Sequence, residues 1–251
     1  MIKFDLHAHT TFCDGKNTPE EMILSAIDKG VETMGLLLHS YLPFYPASSC
    51  KSLEHEQAFV KEMATLKVKY ADKIKVLCGI EMEYFSPHEP KNFDYVIGSV
   101  HFFKVDGKYY AIDHSPKIFD ESVKEAFNGD YLAAAENYYK NVADVVRATN
   151  ADIIGHFDLI TKFNENNIRF DTSHPRYVKA ATDAIDALIP YNKPFEINTG
   201  AISRGYRLEP YPSKKLVDYI KSKGGKLIMS SDSHHKDNIG FKFDEWSFLA
   251  E

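Results

Sequence analysis

Seven apolar, β-rich runs recur along the chain, and each closes on polar side chains: IKFDLH, TMGLLLH, KVLCGIEMEY, DYVIGSVHF, ADIIGHFD, KPFEINTG and KLIMSSDSH. Helix-like segments separate them, and this alternation predicts an α/β fold on a largely parallel sheet. In the first such segment Thr18 is the N-cap, Pro19 takes the first helical position and Glu21 completes a capping box. Apolar spacing then runs through Met22, Ile23, Ala26 and Ile27 to Gly30. Further helices are predicted over 52–72, 130–149, 175–189 and 213–223, the last closed by Gly224 and Gly225. The stretches SYLPFYPASSCKS and TKFNENNIRFDTSHP are irregular and follow strands, a position from which loops cover active sites.

Within FDLHAHT the polar residues keep a strand's period of two. Ile2, Phe4, Leu6 and Ala8 are expected on one face, and Asp5, His7 and His9 on the other. The wider pattern lies at the carboxyl ends of the runs, where His7, His9, His39, Glu81, His101, His156, Asn198, Asp232 and His234 fall. Parallel strands closing into a barrel bring such ends to one mouth. A single histidine at a strand end is more often a hydrogen-bonded structural residue than a ligand. Six of the eleven histidines share the strand-end phase, however, while His55, His88, His114, His174 and His235 do not.

Two imidazoles in an H-x-H pair on one face can grip one cation, and a carboxylate buried like Glu81 needs a partner or a metal. With Asp14 included, the candidates are six histidines and three carboxylates, a set suited to two or three divalent cations with an open position for water. Such a centre lowers the pKa of a bridging water and supports phosphoryl hydrolysis. Zn, Fe and Mn all accept these ligands. No G-x-G-x-x-G follows a strand and no haem or iron–sulfur pattern is present, so nucleotide-cofactor redox chemistry is not indicated.

Totals constrain the rest. Barrels of this type reach 251 residues as one unit, so residues 1–251 are read as a single domain. A net charge of −6 argues against nucleic acid or an anionic membrane as partner. Cys13, Cys50 and Cys78 form neither a C-x-x-C pair nor an even set, which disfavours a disulfide framework or a thiolate zinc site and fits a reducing cytoplasm. No signal-peptide pattern and no membrane-length apolar stretch is seen, so a cytoplasmic protein acting on small molecules is expected. Oligomeric state is left open.

Together DLHAHT, LLLHS, GIEMEY, GSVHF, GHFDLITKF, EINTGAISRGYRLEPYPS and SSDSHH resemble the polymerase-and-histidinol-phosphatase (PHP) family, most closely its stand-alone histidinol-phosphatase branch. The resemblance implies a distorted, TIM-barrel-like (β/α)7 barrel with a trinuclear metal site at the carboxyl ends of its strands. It also implies hydrolysis of L-histidinol phosphate to L-histidinol and phosphate, a step of histidine biosynthesis. By that likeness His7, His9, Glu81 and Asp232 hold one metal, Glu81 bridges to a second bound by His101 and His156, and His39 and His234 hold a third. Two departures stand out: Leu38 supplies no acid before His39, and the loop TTFCDGKNT lacks a histidine. Asp14 is read either as its replacement or as a turn residue of CDGK.

A phosphate ester needs cationic donors besides metals, and arginine meets phosphate bidentately. Arg204 resembles the phosphate-binding arginine of the branch. Lys162 and Arg207 are second choices, with Ser231 and Asn198 as hydrogen-bonding groups at the mouth. For the substrate's ammonium and imidazole, Glu83, Asp113 and Asp158 are candidates, and the loop YLPFYP is a wall of the pocket or a seal on the rim. A metal-bridging hydroxide is the expected nucleophile, with Asp158 or His234 as general acid. The rival readings are a phosphoesterase for nucleotides or phosphopeptides, an amidohydrolase-like C–N hydrolase, and a non-catalytic metal-binding module.

Overall fold

The computed structural model describes residues 2–250. Seven parallel strands form the main sheet: β1 (Ile2–Asp5), β2 (Val31–His39), β3 (Lys75–Glu83), β4 (Tyr95–Ser99), β7 (Ile153–Ile154), β8 (Phe195–Asn198) and β9 (Leu227–Ser230), adjacent in that order. Each of the seven apolar runs coincides with one of them, β2 starting two residues before its run. A separate antiparallel hairpin pairs β5 (Phe102–Val105) with β6 (Lys108–Ala111). Among the described residues no ladder joins β1 to β9. An isolated bridge links Ala8 with Ser233, where the His9 N–H donates to the Ser233 carbonyl at 2.8 Å and the Ser233 N–H donates to the His7 carbonyl at 3.2 Å.

The capping box of α1 (Pro19–Asp28) is formed, with the Thr18 N–H donating to Glu21 at 2.8 Å and the Glu21 N–H donating to Thr18 Oγ1 at 3.2 Å. Helices α2 (Leu53–Lys69), α6 (Pro175–Leu188) and α8 (Lys214–Ser222) lie where the apolar spacing places them. The expected helix over 130–149 is instead two, α4 (Tyr131–Val142) and α5 (Val145–Thr149). The Asp106–Gly107 turn of the hairpin and α3 (Pro116–Phe127) were not anticipated, although both have local signals. Asp106 and Gly107 take φ values of 50° and 80°, as a tight hairpin requires, and Ser115 caps α3 ahead of Pro116. The short α7 (Gly200–Ser203) and α9 (Phe243–Trp246) complete the set.

The expected face of the first run needs correction at Leu6. The β1 ladder stops at Asp5, and Leu6 packs inside the curve of the sheet with Leu37, Leu77, Tyr95, Ile97, Ile153 and Ile228, whereas Ile2 and Ala8 pack outward beneath the helices. The inner cluster has room for a tyrosine because Gly35 and Gly79 carry no side chain. A Cβ on Gly35 would lie 2.9 Å from Leu6 Cα as well as against the Tyr95 ring. Tyr95 donates its hydroxyl to the Leu6 carbonyl at 2.5 Å. Outside the sheet one apolar layer gathers Met22, Ile23, Phe59 and Met63 under α1 and α2. A larger one gathers Phe119, Tyr138, Tyr139 and Ile185 under α3, α4 and α6. Burying each such side chain is worth about 1.5–3 kcal/mol, which holds the strands in parallel and their carboxyl ends along one edge.

Candidate metal centre

Register decides which polar side chains meet. His39 at the end of β2 lies opposite Glu81 on β3, and Glu83 lies opposite Ser99 at the end of β4, two residues before His101. The apolar positions of these strands are used for packing, so the polar residues at their ends turn into the cavity left above the inner cluster.

Nine side chains form three neighbouring groups there: His7, His9 and Asp232; Glu81, His101 and His156; and His9, Asp14, His39 and His234, with candidate ligand atoms inside each group within 4.8 Å of one another. Glu81 stands between them. Its Oε2 lies 3.3 Å from His9 Nε2, 3.5 Å from His7 Nε2 and 3.1 Å from His39 Nδ1, while Oε1 lies 2.8 Å from His156 Nε2 and 3.3 Å from His101 Nε2. Asp14, half exposed, reaches His39 at 3.4 Å and His234 at 3.3 Å. In this geometry it faces the imidazoles as well as ending a turn. Asp232 adopts φ 47°, a strained backbone of the sort that marks functional sites, and Gly200 leaves space for it. A Cβ on Gly200 would sit 2.7 Å from the Asp232 carboxylate.

Opposed effects set the charges. Burial pushes Glu81 up, but His39, His7 and His101 outweigh it and hold the carboxyl well below its ordinary value. For Asp232 burial is likewise overcome, by Arg204 and by His7, His234 and His9. His7 is pushed down by burial yet held well above its usual value by Glu196, Asp232 and Glu81; His101, under the same opposition, rises to about 10 through Glu81 and Glu83. His9 falls to about 3 because burial, His39 and His234 all disfavour its charge. The carboxylates are thus ionised at neutral pH while protons sit on neighbouring imidazoles, and cations compete with those protons for the same nitrogens. Buried imidazole and carboxylate donors at this spacing fit divalent cations.

A second tier of contacts orients the imidazoles, as metal-ligating histidines require. Fully buried Glu196 sits 2.7 Å from His7 Nδ1 and accepts from the His156 main-chain N–H at 3.0 Å and from Asn198 Nδ2 at 3.2 Å. It was missed in the sequence, where its signal is a carboxylate inside the apolar run PFEIN. Glu83 accepts from the His101 N–H at 2.8 Å and lies 3.0 Å from its Nδ1, so it supports a candidate ligand besides lining the cavity.

The cavity above the centre measures about 390 Å³. Leu42 and Tyr45 of the YLPFYP loop line it, while Phe44 stacks on Tyr109 of the hairpin, so this loop both walls the pocket and seals its rim. Arg204, Lys162, Glu83, Asp113 and His234 also line it. Arg204 donates to the Asp232 carboxylate at 2.9 Å and to its carbonyl at 3.0 Å.

Besides His7, which is fully buried behind the other imidazoles, four expected mouth residues are not in its lining. Strand β7 ends at Ile154 and the chain turns through a short 3-10 helix at Leu159–Thr161, so Asp158 does not share the face of His156. Asp158 accepts instead from the Ser213 N–H at 3.0 Å, and it lines a separate polar recess of about 80 Å³. Burial raises its carboxyl to about 6 against the opposing charge of Arg207. Arg207, redirected after Gly205 at φ 75°, lines that same recess and binds Thr161, Glu165 and Glu209. These positions place Arg207 and Asp158 outside the cavity that holds Arg204 and the imidazoles. Asn198 holds Glu196 and accepts from the Gly200 N–H at 2.9 Å, and Ser231 donates its N–H to Asp5 at 3.1 Å; both are buried in the wall.

A parallel α/β sheet with clustered imidazole and carboxylate donors at the carboxyl ends of its strands defines the class, a strand-end metal-binding protein of the α/β type. Within it, the chain belongs to the PHP domain family, whose model matches residues 5–200. The histidinol-phosphatase of Bacillus subtilis is 25% identical over 97% of this chain and 98% of its own length. A Listeria monocytogenes structure provisionally assigned as a histidinol phosphatase superposes with a TM-score of 0.87 at 23% identity, covering 97% of this chain and all of that one. The Lactococcus lactis histidinol phosphate phosphatase, solved with zinc, L-histidinol and phosphate, gives 0.65 at 22% identity over 99% and 92% of the two chains. Both structures share the fold described above.

Proposed function

We propose that this chain is a metal-dependent phosphomonoesterase that hydrolyses L-histidinol phosphate to L-histidinol and phosphate. One observation carries the reading: a buried carboxylate, Glu81, turns one oxygen to His7, His9 and His39 and the other to His101 and His156. A carboxylate so placed would hold cations on both of its oxygens, and the names of the similar proteins supply the substrate. We assign His7, His9, Glu81 and Asp232 to one cation, Glu81, His101 and His156 to a second, and His39, His234 and Asp14 to a third, with Zn, Fe or Mn as occupants. Bound there, divalent cations supply Lewis acidity and bring a water's pKa towards neutrality.

The protein's own groups do the rest. Arg204, fixed by Asp232, offers N–H donors to the equatorial phosphate oxygens, over which charge is spread in the transition state. His234 lines the cavity beside Arg204 at 3.0 Å and, being assigned to a cation, holds that guanidinium in place rather than passing a proton. Leu42 and Tyr45 wall off water and pack against the imidazole end of the substrate. We read the curved sheet as a distorted seven-stranded barrel of one domain, working in the cytoplasm on a small phosphorylated metabolite. The test pairs elemental analysis of the purified protein with phosphate release from L-histidinol phosphate. Metal near two or three ions per chain with turnover supports the reading, and a metal-loaded protein that leaves this ester intact sinks it.

A further inference from the structure

The cavity holds a charge pair that the centre does not use. Among the described lining residues the permanent cations are Lys162 and Arg204, and Arg204 is committed to Asp232. Of the lining carboxylates, Asp14, Glu81 and Asp232 face the imidazole groups and Glu83 holds His101, which leaves Asp113. Lys162 and Asp113 are joined across the mouth: the ammonium donates to the Asp113 carbonyl at 2.8 Å and to its carboxylate at 3.2 Å. Asp113 follows the hairpin and Lys162 follows β7, so the contact spans two loops rather than closing one.

We infer that this pair opens when substrate enters, Lys162 passing to the phosphate and Asp113 to the substrate's ammonium, so that the site selects phosphate monoesters that also carry a cationic amine. The side chains are 12% and 29% exposed, so neither charge can be left alone at low cost. A phosphate ester without an amine attracts Lys162 but strands Asp113 beside a dianion. An aminated ester supplies both new partners at once, and the exchange leaves every charge paired. Two further observations fit the exchange. Burial would raise the Asp113 carboxyl, yet Lys162, His101 and His156 bring it to about 2, which places it within electrostatic reach of the centre where phosphate would lie. The Lys162 ammonium also lies 5.3 Å from the Tyr206 ring centre and 5.5 Å from that of Phe163, faces that keep a cation at the mouth once Asp113 releases it.

This inference rests on the proposed phosphatase activity, and its test separates the two. Metal-loaded wild type, Asp113→Asn and Lys162→Met are assayed for phosphate release from L-histidinol phosphate and from its deaminated analogue, an imidazolyl-propyl phosphate. Wild type is expected to favour the aminated ester in kcat/KM by about ten- to a hundredfold, the worth of a hydrogen bond to a charged group. Asp113→Asn should erase that preference, lowering kcat/KM for the aminated ester and raising it for the deaminated one. Lys162→Met should raise KM for both esters and widen the preference, because Asp113 then has no partner but the substrate. A merely structural tie would lower both substrates alike in both variants, and that result, or a preference untouched by Asp113→Asn, overturns the inference. If wild type releases phosphate from neither ester, the proposed function falls first and takes this inference with it. Release from both without any preference leaves the function standing and removes only the exchange.

Discussion

The two walls of the cavity are built differently. On one side, His7, His9, Glu81, His156 and Asp232 project from strand ends and are almost wholly buried, and His7 and His156 share a second partner in Glu196. On the other, Tyr45, Asp113, Lys162, Arg204 and Tyr206 project from loops and keep part of their surface in water. The strand wall is held by the sheet and its apolar layers, so its geometry is set before any ligand arrives. The loop wall exchanges partners at small cost, which suits selection of a substrate rather than retention of a metal.

The sharpest way to break this comparison is to remove the carboxylate at the centre of the strand wall. Glu81→Gln is expected to lower kcat/KM by roughly a thousandfold or more and to reduce the metal content of the purified protein, since the bridging charge is lost. Full metal occupancy in that variant, measured by elemental analysis, would remove Glu81 from the bridge. Next in size, Arg204→Ala on the loop wall should cost about a hundred- to a thousandfold in kcat/KM on phosphomonoesters while the metals remain. Loss of both together would make Arg204 a support for Asp232 and not a phosphate donor.

A smaller effect tests the second tier. Glu196→Gln is expected to weaken metal affinity by about ten- to a hundredfold, read by chelator competition, because the His7 imidazole loses its charged Nδ1 partner and the His156 main chain loses a tie to the wall. Affinity equal to wild type would show that the sheet alone orients those imidazoles. Smallest of all, Tyr45→Ala should raise KM a few fold, about 1 kcal/mol of lost packing, with kcat and metal content retained. Should it instead strip metal from the protein, the two walls would not be separable.

Much of the strand wall was legible because it obeys local rules. Each apolar run ends in a chemistry-bearing residue, and parallel strands put those ends together whatever the details of the sheet, so eight dispersed side chains could be grouped from the chain alone, with Asp14 joining them from a loop. The loop wall was legible only in part. Asp158 and Arg207 carry the right chemistry and stand two or three residues from His156 and Arg204, yet the 3-10 turn after His156 and the left-handed Gly205 swing them into another recess. Glu196 escaped notice for the opposite reason. Its run looked like an ordinary buried strand, and its importance lies in contacts with residues 189 and 40 positions away.

The chain by itself determined the order of strands and helices, the burial of one face of each and the chemical kind of residue at every strand end, because these follow from period and composition over a few neighbours. Which carboxylate supports a histidine and which pairs with Lys162 was decided only in the folded molecule. Those roles depend on distances between segments that share no local sequence, and on a competition between burial and opposite charge that exists only once the segments have been brought together.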